Sequence, residues 1–406
     1  MGGLRVGKTA KYLAEMGHDV RVLTVDQQIW GPSLPVEINA KNIVRTKWFD
    51  VNRPVQFLLG GRQVVAAKGY EPEGRVPKIV KCLGHFYKDW INFPDGQIGW
   101  YPYAVRAGKK MLRDWKPDFI LASSSPPTTF LIARKLSHIF NVPWVADLRD
   151  LWADNPKMAT YHSQLRRKID AKIENWVLST AKGIVTVSEP LAVVLREKFR
   201  QPISVITNGY DLNDYPPPNS VKHDLSKLKV VYTGLIYPKA VDLHPLFQAL
   251  TLLKQRGHAV CFDFYGRGNE IVERMATSYG LAGHVKCHGV VPYRESLQLQ
   301  VNADVLLVLT CNAENEKGVV TAKFFEYLGA RKPIWLTGCV DGVAAEIIRK
   351  RNVGLAENDP EKIALFLQKI LIDKMTGIEN QTPFSAIVGF SRQEQTEKLV
   401  EFLGKC

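Results

Sequence analysis

Between Thr321 and Gly338 the chain reads TAKFFEYLGARKPIWLTG. A lysine, Lys323, and a glutamate three residues on, Glu326, open a short apolar helix. Arg331-Lys332-Pro333 and the run Ile334-Trp335-Leu336 follow it. A helix N-terminus carries partial positive charge and N–H groups without intrahelical partners, so it suits a phosphate. Lys323 adds a mobile cation, and Glu326 offers two acceptor oxygens to a vicinal diol such as a ribose. The same spacing also describes a solvent-exposed i, i+3 ion pair on an ordinary amphipathic helix. The rest of the chain decides between them.

A second phosphate signal lies at the start. Gly2-Gly3-Leu4-Arg5-Val6-Gly7-Lys8-Thr9 fits G-x-x-x-x-G-K-[ST], the P-loop pattern. A helix follows, then a strand from Val20 to Val25 that ends at Asp26, an order similar to the opening of plasmid-partitioning ATPases. A P-loop needs a strand ahead of it to hold the loop taut, and only Met1 precedes this one. A P-loop ATPase is therefore the rival reading. Two glycines opening a helix also allow close backbone approach to a ligand.

The elements that must position these residues alternate. Short apolar runs read as buried parallel strands at Val20–Val25, Phe119–Ala122, Trp144–Ala146, Gly183–Val187 and Ile203–Ile206. Others read so at Val230–Thr233, Cys261–Tyr265, Val285–His288, Val305–Leu309 and Pro333–Leu336. Each lies beside a helical pattern, which predicts right-handed βαβ units and an α/β, doubly wound architecture. Tyr215-Pro216-Pro217-Pro218-Asn219-Ser220 punctuates the middle as a stiff linker. The expected organisation is a domain over 1–212, a linker at 213–222, a domain over 223–385, and a C-terminal helix in 386–406 that returns to the first domain. Ligands of such sheets bind at the carboxyl ends of the strands.

Size and composition agree. The 406 residues, 46% hydrophobic and 23% charged, suffice for two cores. No apolar run reaches the roughly 18 residues of a membrane span, and the first residues lack the apolar core of a signal peptide. Cys82, Cys261, Cys287, Cys311, Cys339 and Cys406 form no C-x-x-C pair, which argues for a reduced compartment and against a zinc site. The net charge of +14 is spread along the chain. That favours an anionic membrane surface or polyanionic substrate over nucleic acid.

Six motifs in order resemble glycosyltransferase family 4. They are Gly2-Gly3-Leu4-Arg5 with Tyr12 to Val20, Ala181 to Glu189, Ile203 to Asp211, Tyr232-Thr233-Gly234, Tyr265-Gly266-Arg267-Gly268, and the Lys323/Glu326 helix. Ala122 to Thr128, Pro143 to Trp152, and Phe93-Pro94-Asp95 with Gly99-Trp100 are similar to a subgroup that builds bacterial surface polysaccharides. The resemblance implies a GT-B fold of two facing Rossmann-like domains. It also implies transfer of a sugar from a UDP- or GDP-type donor, without an obligatory metal and with retention at the anomeric carbon, to a lipid-linked saccharide. By the same resemblance Glu326 binds the ribose, and Lys239 and Lys323 take the diphosphate with help from Arg267. Gly2, Gly3 and Gly234 allow close approach to the donor, and Arg149 and Asp150 face the reacting centre.

Three departures from the family pattern stand out. Eight residues before Glu326, where many members carry a first glutamate, stands Gly318, with Glu316 out of register. Asp147-Leu148-Arg149-Asp150 replaces a loop that often holds a histidine. The strand that normally precedes the Gly-Gly is missing, so the expectation is an N-terminally shortened chain, or a glycosyltransferase-like protein without activity. Finally, Val76, Ile79, Val80, Leu83, Phe86, Tyr87, Trp90 and Ile91 share one helical face, and Arg62 to Lys116 holds eleven Lys/Arg against five Asp/Glu. Such a helix packs on a core or lies on anionic lipid. The resemblance favours the second, and with it a cytoplasmic enzyme peripheral to the inner membrane face.

Overall fold

The computed structural model describes residues 2–26, 37–53, 87–155, 162–216, 224–236, 241–311 and 317–406. They form two compact units, Met1–Ile206 with Lys398–Cys406, and Thr207–Glu397. The first boundary falls ahead of the Asn208–Asp211 block because that block is hydrogen-bonded within the second unit. There Tyr210 N–H donates to Phe390 O at 3.1 Å, and Arg392 N–H donates to Tyr210 O at 2.7 Å.

The first unit opens on helix α1 (Gly2–Glu15). Its Gly7-Lys8-Thr9 therefore lies inside a helix and not in a loop, which removes the P-loop reading: peptide N–H groups committed to i→i−4 bonds cannot wrap a phosphate. Lys8 is buried and paired with Glu37 at 2.5 Å. Strands β1 (Val22–Val25) and β2 (Ile43–Thr46) form a two-stranded parallel sheet. Helix α2 (Tyr101–Asp114) leads to a second parallel sheet, in the order β3-β4-β5-β6. Its strands are β3 (Ile120–Ser124), β4 (Trp144–Leu148), β5 (Gly183–Thr186) and β6 (Ile203–Val205), with helices α3 (Thr128–Phe140), α4 (Gln164–Leu178) and α5 (Glu189–Lys198) between them. Leu23 of β1 and Ile120 of β3 pack on one cluster with α2 and α3, yet among the described residues β1 and β3 belong to separate sheets.

The second unit holds six parallel strands in the order β12-β11-β10-β7-β8-β9. They are β7 (Leu228–Leu235), β8 (Val260–Arg267), β9 (Val285–Gly289), β10 (Val305–Leu309), β11 (Ile334–Thr337) and β12 (Gly354–Ala356). Helices α6 (His244–Gln255), α7 (Asn269–Ser278) and α11 (Pro360–Met375) cover one face through Leu246, Phe247, Val272 and Leu367. Helices α8 (Tyr293–Val301), α9 (Ala322–Ala330) and α10 (Val343–Arg351) cover the other, through Phe324, Tyr327 and Ile348. Two apolar faces on one sheet explain why its strands read as continuous hydrophobic runs. Helix α12 (Phe384–Ile387) precedes the last helix, α13 (Arg392–Leu403). Leu399 and Phe402 of α13 are buried with Val145, Val185 and Ile206 in the first unit's core.

All ten strands expected from the sequence are present, with ends shifted by no more than two residues. Strands β2 and β12 were not foreseen. Ile43-Val44-Arg45-Thr46 carries an exposed arginine on a half-covered edge, and Gly354-Leu355-Ala356 is three residues long.

Candidate active site

The second unit assembles the Lys323/Glu326 motif at the carboxyl end of β7. Thr321 caps α9 in extended geometry, but its side chain makes no capping bond. Its hydroxyl is buried without a partner. Lys323 is folded back over Tyr232, its Nζ 4.0 Å from the ring centre and donating to Tyr232 Oη at 2.6 Å. Desolvation pushes its pKa down to about 8, only partly offset by Glu326. Glu326 is 6% exposed. Burial raises its pKa, against Gln300, Arg392 and Lys323, which lower it. One carboxylate oxygen, Oε2, accepts from Gln300 Nε2 at 3.4 Å. The other, Oε1, is buried with no partner. An orphaned anionic oxygen in a dry site is costly, and its natural complement is a pair of hydroxyl donors.

Glycines are needed near the carboxyl ends of β7 and β8. Gly234, next to last in β7, has φ +140°, and a Cβ there would lie 2.6 Å from Lys323 Nζ. A Cβ on Gly266 would lie 1.6 Å from Gly234 O. Gly234 and Gly266 are paired positions of the neighbouring strands and touch backbone to backbone, so no side chain fits between them. Arg267 is exposed at the end of β8. Lys239 lies outside the described residues.

Gln300 was not anticipated. Its Nε2 bridges Glu326 to Thr233 Oγ1 at 3.2 Å, and Thr233 N–H donates to Tyr327 Oη at 2.9 Å. The signal was present in the sequence: on α8 the buried positions are Leu297 and Gln300, so a glutamine stands where the helical period asks for an apolar residue.

In the first unit a second constellation gathers at the carboxyl ends of β3 and β4. Asp147 accepts from Arg5 Nε and Nη2, both at 2.9 Å, and from Ser123 Oγ at 2.8 Å. Arg5 also donates to Ile206 O. Arg149 donates to the carbonyls of Ser124 and Ser125, both at 2.8 Å, which tether it to the segment between β3 and α3. Asp95 of the Phe93-Pro94-Asp95 motif accepts from Thr128 N and Oγ1 at 2.7 and 2.8 Å, capping α3. Asp150 is exposed. Gly2 and Gly3 form the first turn of α1, and a Cβ at Gly3 would meet nothing within 4 Å.

The family model "Glycosyltransferase Family 4" matches residues 3–214. The chain belongs to glycosyltransferase family 4. Solved structures of the same fold include a glycosyltransferase from Rickettsia africae ESF-5, at 14% identity and a TM-score of 0.63 over 100% of this chain and 95% of that one. A sucrose-phosphate synthase from Thermosynechococcus elongatus aligns at 14% identity and 0.62, over 99% and 92%. WaaG, a glycosyltransferase involved in lipopolysaccharide biosynthesis, aligns at 15% and 0.57, over 99% and 96%. No curated protein matches the chain in sequence. The fold is thus GT-B, with two Rossmann-like units, and the family-4 chain is a transferase acting by glycosyl transfer.

Proposed function

We propose that this family-4 glycosyltransferase takes its sugar from a UDP- or GDP-linked donor bound on the second unit. Glu326 receives the two ribose hydroxyls on its orphaned oxygen and its edge. Lys323 and the N-terminus of α9 neutralise the diphosphate, assisted by Lys239 and Arg267. The Gly234 and Gly266 turns admit the phosphates, and no metal is required. The single observation that carries this reading is the buried, unpartnered carboxylate oxygen of Glu326 one helical turn from a desolvated lysine.

On the first unit, Gly2, Gly3, Arg149 and Asp150 flank the reacting sugar and the acceptor. The acceptor we infer is a lipid-linked saccharide, used in building a surface polysaccharide with retention of configuration. The inner membrane face is the proposed location. Exposed Phe49, Trp90, Ile91 and Tyr103, with exposed Arg45, Lys47, Arg53, Arg106 and Lys110, support contact with anionic lipid. Most of the expected amphipathic helix, from Val76 to Phe86, lies outside the described residues. No described helix is long and apolar enough to cross a membrane.

The test is a thermal-shift screen of UDP, GDP, ADP and ATP, and of UDP- and GDP-sugars, on the native chain and Glu326→Gln. A shift by UDP or GDP that Glu326→Gln abolishes supports the donor site. A shift by ATP alone refutes it. Release of the diphosphate on adding a lipid-linked saccharide, undiminished by EDTA, distinguishes an active transferase from an inactive relative.

A further inference from the structure

Glu326 has two oxygens in different circumstances, and the difference has a cause in α8. Gln300 is fully buried. Its amide nitrogen spends one hydrogen on Thr233 Oγ1 and the other on Glu326 Oε2. Its own oxygen, like Glu326 Oε1, is left without a partner. Thr233 in turn is held by Tyr327 Oη through its N–H, and it directly precedes Gly234, where the missing Cβ leaves space for Lys323. One glutamine therefore ties the carboxylate to the strand end that carries the phosphate turn. A glutamate free to rotate about its terminal torsion samples a broad range of orientations. One oxygen pinned from behind restricts that rotation and aims the other.

We propose that Gln300 is a positioning residue for the donor: it pins Glu326 Oε2 so that Oε1 faces the ribose diol of a nucleoside diphosphate, in fixed register with the Thr233-Gly234 turn. The inference rests on the donor-site reading above. Its consequence is specific. Gln300 acts on the ribose hydroxyls through Glu326 and does nothing for a nucleotide that lacks them.

The experiment is calorimetric titration of the native chain, Gln300→Met and Glu326→Gln with UDP and GDP, and with the 2′,3′-dideoxy form of whichever binds. Gln300→Met is close to isosteric and removes the donor. The expected result is about a tenfold loss of affinity for the ribose form and less than a twofold loss for the dideoxy form. In Gln300→Met combined with Glu326→Gln, the ribose form should bind no more weakly than in Glu326→Gln alone, because both changes act on one contact. A second variant, Gln300→Glu, offers a donor only when protonated. Its affinity for the ribose form should rise as pH falls from 8 toward 6 with an added slope beyond the shallow one that Lys323 gives the native chain. Equal weakening of ribose and dideoxy forms by Gln300→Met, or additive losses in the double variant, overturns the role of Gln300 and leaves the donor site standing. If Gln300→Met does not fold, a Gln300→Glu profile without that added slope overturns the role equally. Failure of the native chain to bind either diphosphate overturns the donor site and this proposal together.

Discussion

Lys323→Met should make the unliganded protein more stable and the nucleotide complex weaker. In the folded chain the Lys323 ammonium is desolvated, and its pKa falls from 10.5 to about 8. At 1.36 kcal/mol per unit, holding that charge in place costs about 3 kcal/mol at neutral pH. The Tyr232 ring 4.0 Å away returns about 0.5–2 kcal/mol of cation–π attraction. Methionine keeps most of the apolar stem and removes the charge, so the net gain is about 1–3 kcal/mol. For a unit of this size each kcal/mol moves the midpoint by about 2–4 °C, so the variant should melt roughly 2–12 °C higher. The pH dependence has a definite sign. Between about pH 8 and 10.5 the unfolded chain retains a proton that folded Lys323 has released. Native stability therefore rises with pH through that window. The advantage of the variant is full below pH 8 and vanishes toward 10.5. Diphosphate binding should show the reverse preference, because a charge-assisted bond worth about 1.5–3 kcal/mol is lost, about 10- to 100-fold in Kd. Calorimetric melting at pH 7 and pH 10, with UDP or GDP titration, reads both quantities. A variant that melts lower than native at pH 7, or binds the diphosphate as tightly, refutes the reasoning.

Gly266→Ala places a Cβ 1.6 Å from Gly234 O. The two turns must separate, and denaturant melts should show a loss of about 3 kcal/mol or more along with nucleotide binding. Arg5→Met leaves Asp147 buried without its guanidinium, which should cost about 3–5 kcal/mol by chemical denaturation; Arg5→Met with Asp147→Leu should recover most of it. Arg149→Lys keeps the charge but cannot span the carbonyls of Ser124 and Ser125. Turnover with acceptor should fall by roughly tenfold or more while donor affinity in titrations stays within twofold, since a small misplacement of a loop is expensive in rate.

Hydrophobic runs proved the most legible part of the sequence. Leu306, Leu307 and Val308 of β10 are buried on both sides, so composition alone marks them as a strand. Arg45 in β2 and Gly354 in β12 sit on edges where one face is open and packing sets weak demands, and the pattern fades there. The Lys323/Glu326 motif was visible because helix spacing fixes which residues share a turn. Gln300 and Arg5 were harder. Their partners lie 26 and 142 positions away in sequence, and only the topology brings α8 beside α9, or α1 beside the end of β4. Arg149 shows the limit most clearly. Its type points to chemistry at the reacting centre, and only the structure shows that its guanidinium also donates to two backbone carbonyls.

The first unit is discontinuous, and this bears on how the chain is made. Its core includes Leu399 and Phe402 against Val145 and Val185, and Gly183 is bare because a Cβ there would meet Phe402 and Cys406 at 2.7 Å. The whole of Thr207–Glu397 is inserted between the two pieces. A ribosome adding about 5–20 residues per second needs roughly 10–40 s to cross that insert. By the end of that time the second unit has all its strands, while the first still lacks Leu399 and Phe402 over Val145 and Val185. The unit synthesised first is thus the last to close.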